Sequence, residues 1–134
     1  MLKVGIIGVG TVGTSVANIL IDNKNIITAR AGKEIVPTIG VVSNLGKKRD
    51  VSIKLTTNAD EILEDDSIDI VVELMGGIDK PYEIVKKALL KGKAVVTANK
   101  ALLAYHRYEL QELASDTPFE FEAAVAGGIP IINA

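Results

Sequence analysis

The sequence predicts a protein of the α/β class, with a doubly wound, mostly parallel six-stranded sheet and helices on both of its faces. Short apolar runs rich in β-branched residues alternate six times with segments of helical periodicity. Several of these runs end at glycines or polar clusters, which is typical of the turn between a strand and a helix. The predicted strands span Leu2–Ile7, Ile35–Ser43, Ile53–Thr57, Asp69–Leu74, Lys93–Thr97 and Phe119–Val125.

Apolar residues at helical spacing predict the helices between these strands. The first runs over Thr11–Asp22 and the last over Lys100–Ser115. Asn58 is a predicted N-cap with Glu61 three residues later, the spacing of a capping box, for a helix that ends near Glu64. Asp79 is the predicted cap of a further helix that ends at Lys91-Gly92. His106, in the last helix, is expected at the surface.

Length, charge and composition limit the function. The 134 residues predict one domain, and the formal net charge of −2 argues against nucleic acid as a partner. There are no cysteines, which excludes thiolate chemistry and fits a reducing, cytoplasmic location. No run reaches the roughly 18 apolar residues of a membrane helix, so no membrane partner is expected. No spacing of His, Asp and Glu suits a metal ion. The last residues resemble the start of a helix, so we expect residues 1–134 to be a fragment of a longer protein.

A G-x-G-x-x-G motif directly follows the first predicted strand and opens the first predicted helix. In this position the motif is typical of a dinucleotide-binding Rossmann fold. The first glycine allows the tight turn, the second lets a pyrophosphate approach the backbone, and the third lets the helix pack on the strand. The N–H groups of the helix start then face the phosphates. The predicted cofactor contacts here are Gly8, Val9, Gly10, Thr11, Val12 and Gly13.

The end of the second strand favours NADP over NAD. An NAD site has a carboxylate there, which binds the ribose 2′-hydroxyl. This chain has Val42-Ser43-Asn44 instead, followed by the basic residues Lys47, Lys48 and Arg49. Basic side chains beside the adenosine pocket neutralise a 2′-phosphate. The alternative is that the three residues form a solvated loop.

Several further residues stand at the carboxyl ends of strands, where α/β sheets bind ligands. Met75, Gly76 and Gly77 follow the fourth strand, and the segment has little side chain to obstruct a nicotinamide ribose. The alternative is an ordinary turn between a strand and a helix. Asn99 and Lys100 follow the fifth strand, and the lysine could bind the cofactor or polarise a substrate carbonyl. Taken alone, the position favours the alternative, a surface lysine at the start of a helix. Glu73 has two interpretations, a functional carboxylate or a structural hydrogen-bonding group.

Four segments in their order and spacing resemble homoserine dehydrogenase. They are GVGTVG, VVELMGG, VTANKALLA and FEAAVAGGIPII, and the resemblance covers essentially the whole chain. The resemblance implies an NAD(P)-dependent oxidoreductase that interconverts L-aspartate 4-semialdehyde and L-homoserine, in threonine, methionine and isoleucine biosynthesis. It implies a homo-oligomeric full-length enzyme.

The resemblance also assigns residues. It implies that Gly8–Gly13 bind the pyrophosphate, Arg49 with Lys48 the 2′-phosphate, and Met75 and Gly76 the nicotinamide ribose. Lys100 matches a position near cofactor and substrate, where a catalytic role is expected. Gly127 and Gly128 match the turn that leads into the substrate domain. The family's main catalytic residues follow that turn, so we expect this chain to bind cofactor without catalysing the reaction.

Two other interpretations remain open from the sequence. One is the Rossmann domain of another dehydrogenase that acts on an amino-acid aldehyde or amine. The other is a dinucleotide-sensing module without catalytic activity.

Overall fold

The computed structural model describes residues 2–8, 18, 34–46, 52–97, 99–117 and 119–120. The strands are β1 (Leu2–Ile7), β2 (Ile35–Val41), β3 (Lys54–Thr56), β4 (Ile70–Glu73), β5 (Ala94–Thr97) and β6 (Phe119–Glu120). The helices in these ranges are α1 (Asp60–Leu63), α2 (Asp79–Leu90) and α3 (Lys100–Ala114). β1 has the predicted bounds, whereas β2 to β5 are one or two residues shorter at one or both ends.

All five strand pairings are parallel and give the order β3-β2-β1-β4-β5-β6. This sheet confirms the predicted fold class. The direction in which strands are added reverses between β1 and β4. β2 and β3 are added on one side of β1, and β4, β5 and β6 are added on the other. Ligands of such sheets bind outside the carboxyl ends of the strands at this switch point.

Two apolar clusters lie on the sheet and differ in composition. One contains buried residues of α1, α2 and α3, among them Ile62, Val85 and Leu102, packed with strand residues such as Val71. The other consists of strand residues and Val42, which are all buried. The three described helices therefore cover one face of the sheet. No described helix combines the length and the apolar character needed to cross a bilayer.

The observed cap residues of two helices differ from the predicted ones. Asn58 does accept a hydrogen bond from the Asp60 N–H at 3.0 Å, but the cap residue of α1 is Ala59. Glu61 does not complete a capping box, because its carboxylate accepts hydrogen bonds from the Thr56 hydroxyl and from Lys54. These two donors also hold the pKa of Glu61 below its ordinary value.

In α2, Asp79 is the first helical residue and Ile78 is the cap, without a side-chain cap bond. The prediction that Asp79 caps this helix was therefore wrong. A carboxylate in the first turn still interacts favourably with the helix dipole, which explains the acidic residue at this position.

Helices α2 and α3 are joined by three polar or aromatic side chains. The Tyr82 ring stacks on His106 with ring centroids 4.1 Å apart, and the Tyr82 hydroxyl donates to the Glu109 carboxylate. This hydroxyl, followed by His106, lowers the pKa of Glu109. His106 is half-buried in this contact, with 27% of its side chain exposed. The contact joins α3 to α2.

β1 ends against the turn that follows β4. Gly8 has φ +93°, and a Cβ built on it would lie 2.8 Å from Met75 Cα and 2.9 Å from Met75 N. The Leu74 N–H donates to the Ile7 carbonyl at 2.8 Å, so the two strand ends are also hydrogen-bonded. A side chain at position 8 would force the two backbones apart.

The substitutions Gly8→Ala and Gly92→Ala separate this packing from backbone strain. Both glycines have positive φ, +93° and +78°. Alanine in that region costs about 1–2 kcal/mol of unfolding free energy. A Cβ on Gly92 meets nothing within 4 Å, so Gly92→Ala should lose only this amount. Gly8→Ala must also displace Met75, and we expect it to lose about 1–3 kcal/mol more in urea unfolding. Equal losses would contradict the close packing.

Candidate functional site

The turn between β4 and α2 has two consecutive glycines with left-handed backbone. Gly76 has φ +77° and Gly77 has φ +83°, and a Cβ built on either would meet nothing within 4 Å. Both residues are exposed, whereas Met75 beside them is half-buried. The turn therefore presents bare backbone to open space beside Gly8. Such a surface fits a flat ring or ribose that must approach the main chain closely.

A buried carboxylate joins the ends of β4 and β5. Glu73 is fully buried, and its Oε2 accepts a hydrogen bond from the Thr97 hydroxyl at 2.6 Å. Its Oε1 accepts from the Met75 N–H at 3.0 Å. Both oxygens therefore have partners inside the protein, as a buried carboxylate requires. Of the two interpretations left open by the sequence, these contacts favour the structural one.

Asn99 caps α3 and also contacts the glycine turn. Its Oδ1 accepts a hydrogen bond from the Leu102 N–H at 3.0 Å, and its Nδ2 donates to the Gly77 carbonyl at 2.8 Å. Its own N–H donates to Thr97 Oγ1 at 3.1 Å. The side chain is only 9% exposed. Direct cofactor contact by Asn99 stays a prediction, and the bonds observed here are all within the protein.

Lys100 is exposed at the first position of α3. A cation there faces the positive end of the helix dipole, which is unfavourable by about 0.3–1 kcal/mol. No acidic residue occupies the first turn of this helix to offset the charge. The stability of the helix therefore does not explain a lysine at this position. A role in binding an anionic ligand or in polarising a carbonyl group would explain it.

The end of β2 has no carboxylate. β2 ends at Val41, Val42 is buried, and Ser43 and Asn44 are exposed. The Asn44 Oδ1 accepts a hydrogen bond from the Gly46 N–H at 2.8 Å, which closes a local turn. Among the described residues at this strand end, none has the carboxylate that binds the ribose 2′-hydroxyl in an NAD site.

The structure brings part of the predicted site together. Gly8, Met75, Gly76, Gly77, Asn99 and Lys100 lie at the adjoining carboxyl ends of β1, β4 and β5. The remaining predicted residues lie outside the described part of the chain: Val9, Gly10, Thr11, Val12, Gly13, Lys48, Arg49, Gly127 and Gly128. The same holds for nearly all of the first predicted helix and for the predicted β6 residues after Glu120.

Sequence reasoning missed Thr97. The sequence predicts Thr97 only as the end of a strand, whereas its hydroxyl links Glu73 to Asn99 in the structure. The signal available was a hydroxyl residue two positions before a helix-capping asparagine, in a strand that is otherwise apolar. That pattern predicts a local turn, but it gives no partner 24 residues away.

The parallel sheet, its switch point and the open glycine turn define a nucleotide-binding domain of the Rossmann type. Residues 8–123 match the family described as homoserine dehydrogenase, NAD binding domain. The chain belongs to this family, which confirms the resemblance read from the four sequence segments. Its cofactor class is accordingly a nicotinamide dinucleotide.

Individual relatives agree with the family assignment. The homoserine dehydrogenase of Helicobacter pylori is 51% identical over 133 residues, which cover 99% of this chain and 32% of the relative. A crystal structure of the enzyme from Thiobacillus denitrificans is similar with a TM-score of 0.86 and 42% identity, covering 92% of this chain and 30% of that one. A hyperthermophilic archaeal homoserine dehydrogenase in complex with NADPH has a TM-score of 0.72 and 25% identity, covering 92% and 44%.

The chain spans about a third of the Helicobacter pylori relative and of the Thiobacillus denitrificans structure.

The substitutions Thr97→Val and Thr97→Ser test the buried hydrogen bonds. Valine keeps the shape of threonine but leaves Glu73 Oε2 and the Asn99 N–H without their partner. We therefore expect Thr97→Val to lower the free energy of unfolding by about 2–3 kcal/mol. Serine keeps the hydroxyl and loses one methyl group, at a cost of about 1 kcal/mol. Chemical denaturation measures both. If Thr97 only fills space, the order of the two variants will be reversed.

Proposed function

We propose that this chain is the NADP(H)-binding part of an enzyme that interconverts L-aspartate 4-semialdehyde and L-homoserine. The observation that carries the proposal is the convergence of Gly8, the open Met75–Gly77 turn and Lys100 at the switch point of the sheet. The family match and the names of the relatives support the same activity. When bound, the cofactor supplies the hydride that reduces the aldehyde.

Different residues of this chain are assigned to different parts of the cofactor. The backbone N–H groups from Val9 to Gly13 are assigned to the pyrophosphate, since helix starts bind phosphate in this way. Gly8 begins this turn, and its own N–H donates to the Val41 carbonyl at 2.9 Å. The Met75–Gly77 turn is assigned to the nicotinamide ribose, because its glycines leave open space beside the main chain. Lys100 is assigned to the reacting end, where a fixed cation stabilises the oxygen that gains charge as hydride arrives.

The preference for NADP rests on charge. The described end of β2 has Ser43 and Asn44 where an NAD site has a carboxylate. Lys48 and Arg49 follow within a few residues and are assigned to the 2′-phosphate. The NADPH complex of a similar homoserine dehydrogenase is consistent with this preference.

The substitution Arg49→Ala tests the assignment of the 2′-phosphate. We expect wild-type chain to bind NADPH more tightly than NADH in calorimetric titration. Loss of a charge-assisted hydrogen bond should weaken NADPH binding by about tenfold or more and leave NADH binding unchanged. Equal affinities of the wild type for the two nucleotides would refute the preference. An equal loss for both in the variant would show that Arg49 does not bind the phosphate.

The substitution Lys100→Ala tests a functional lysine against a structural one. Removal of a cation from the start of α3 should leave the melting temperature unchanged or raise it slightly. NADPH affinity should fall by about tenfold if Lys100 contacts the cofactor through a charged hydrogen bond. Lys91→Ala is the control for NADPH affinity, since Lys91 is exposed just beyond the carboxyl end of α2. Its ion pair with Glu64, at 3.1 Å, excludes it as a control for the melting temperature. A lower melting temperature with unchanged affinity would contradict the assignment.

A further inference from the structure

Three buried polar residues form a continuous hydrogen-bonded chain beneath the proposed nicotinamide site. Glu73 and Thr97 are fully buried, and Asn99 is 9% exposed. The Thr97 hydroxyl donates to Glu73 and accepts from the Asn99 N–H. The chain therefore crosses from the end of β4 to the end of β5 and on to the start of α3.

Both ends of this chain hold the same turn. At one end, Glu73 Oε1 accepts from the Met75 N–H at 3.0 Å. At the other, Asn99 Nδ2 donates to the Gly77 carbonyl at 2.8 Å. The turn is thus held on either side of Gly76, the first of its two glycines with positive φ. Glycine has many accessible backbone conformations, so an unsupported Gly-Gly turn would not keep a single shape.

Stability alone does not require such a network. A carboxylate taken out of water is costly, and apolar residues of similar volume often give equal or greater stability. Among the described residues, no buried side-chain nitrogen or oxygen lacks a hydrogen-bond partner. A network whose members are all satisfied rigidifies its surroundings. The effect of the network formed by Glu73, Thr97 and Asn99 is therefore to fix the geometry of the Met75–Gly77 turn.

We infer that Glu73, Thr97 and Asn99 are positioning residues that fix the Met75–Gly77 turn relative to Lys100. This rests on the proposed function, in which the turn and Lys100 contact the nicotinamide half of NADPH. A turn already held in its binding conformation loses less entropy when the ligand binds. Asn99 then acts on NADPH through its hydrogen bond to the Gly77 carbonyl, and this role does not require the direct contact predicted from the sequence. The adenosine half of the cofactor, assigned to other strand ends, does not depend on the network.

The substitution Asn99→Ser separates the two hydrogen bonds of this side chain. Serine is a good N-cap and still accepts from the Leu102 N–H, but it is too short to reach the Gly77 carbonyl. Asn99→Asp is a second variant, which keeps the shape and the cap while placing an oxygen against that carbonyl. Asn58→Ser is the matched control. Asn58 likewise accepts a hydrogen bond from a backbone N–H just before a helix, α1, but it is exposed.

Calorimetry with NADPH and with adenosine 2′,5′-bisphosphate provides the readout, at a temperature where circular dichroism shows each protein folded. The bisphosphate lacks the nicotinamide half. We expect both Asn99 variants to bind NADPH at least about fivefold more weakly, the equivalent of one hydrogen bond. The affinity for the bisphosphate should remain at the wild-type value in both variants. Asn58→Ser should leave the affinities for both ligands unchanged.

Two results would overturn the inference. One is unchanged NADPH affinity in both Asn99 variants. The other is an equal loss for NADPH and the bisphosphate, which would indicate general damage to the fold. A wild-type chain that binds neither ligand would instead refute the proposed function itself, together with the inference that depends on it.

Discussion

The close approach of β1 and the turn after β4 is the constraint on which the rest of the site depends. Only a glycine at position 8 allows the two backbones to lie in contact, with Met75 atoms less than 3 Å from where a Cβ would stand. Parallel pairing of β1 with β4 then brings Gly8 and the glycine turn after β4 to one place. The juxtaposition of these two strand ends follows from that single contact.

Around this contact the molecule uses polar groups where a stable core would use apolar ones. β4 is buried along its whole length, yet it ends in Glu73. The hydroxyl of Thr97 and the N–H of Met75 compensate the carboxylate. Lys100 shows the same pattern at the surface, since its charge opposes the dipole of the helix that it begins. Locally unfavourable choices that cluster in one place are typical of functional sites in proteins.

The sequence predicted much of the fold because strands buried on both faces leave a clear signal. β1 was predicted to the residue, and β4 and β5 to within one residue at each end, because each is a short β-branched run. The capping of α1 and α2 was less predictable. Asn58 and Asp79 have the right residue types for caps. In the folded protein, however, Glu61 accepts hydrogen bonds from the Thr56 hydroxyl and Lys54, and Ile78 occupies the cap position of α2.

The sequence by itself determined which residues stand at strand ends, since alternation and glycine placement are local properties. It also determined the family, through four segments in a fixed order. Only the tertiary structure decided which strand ends meet. Glu73 and Thr97 are 24 residues apart, and Asn99 and Gly77 are 22 apart. Their contacts depend on the order β1-β4-β5 and on the register between strands. Sequence spacing cannot give such distances, because the helices between the strands return the chain to the sheet.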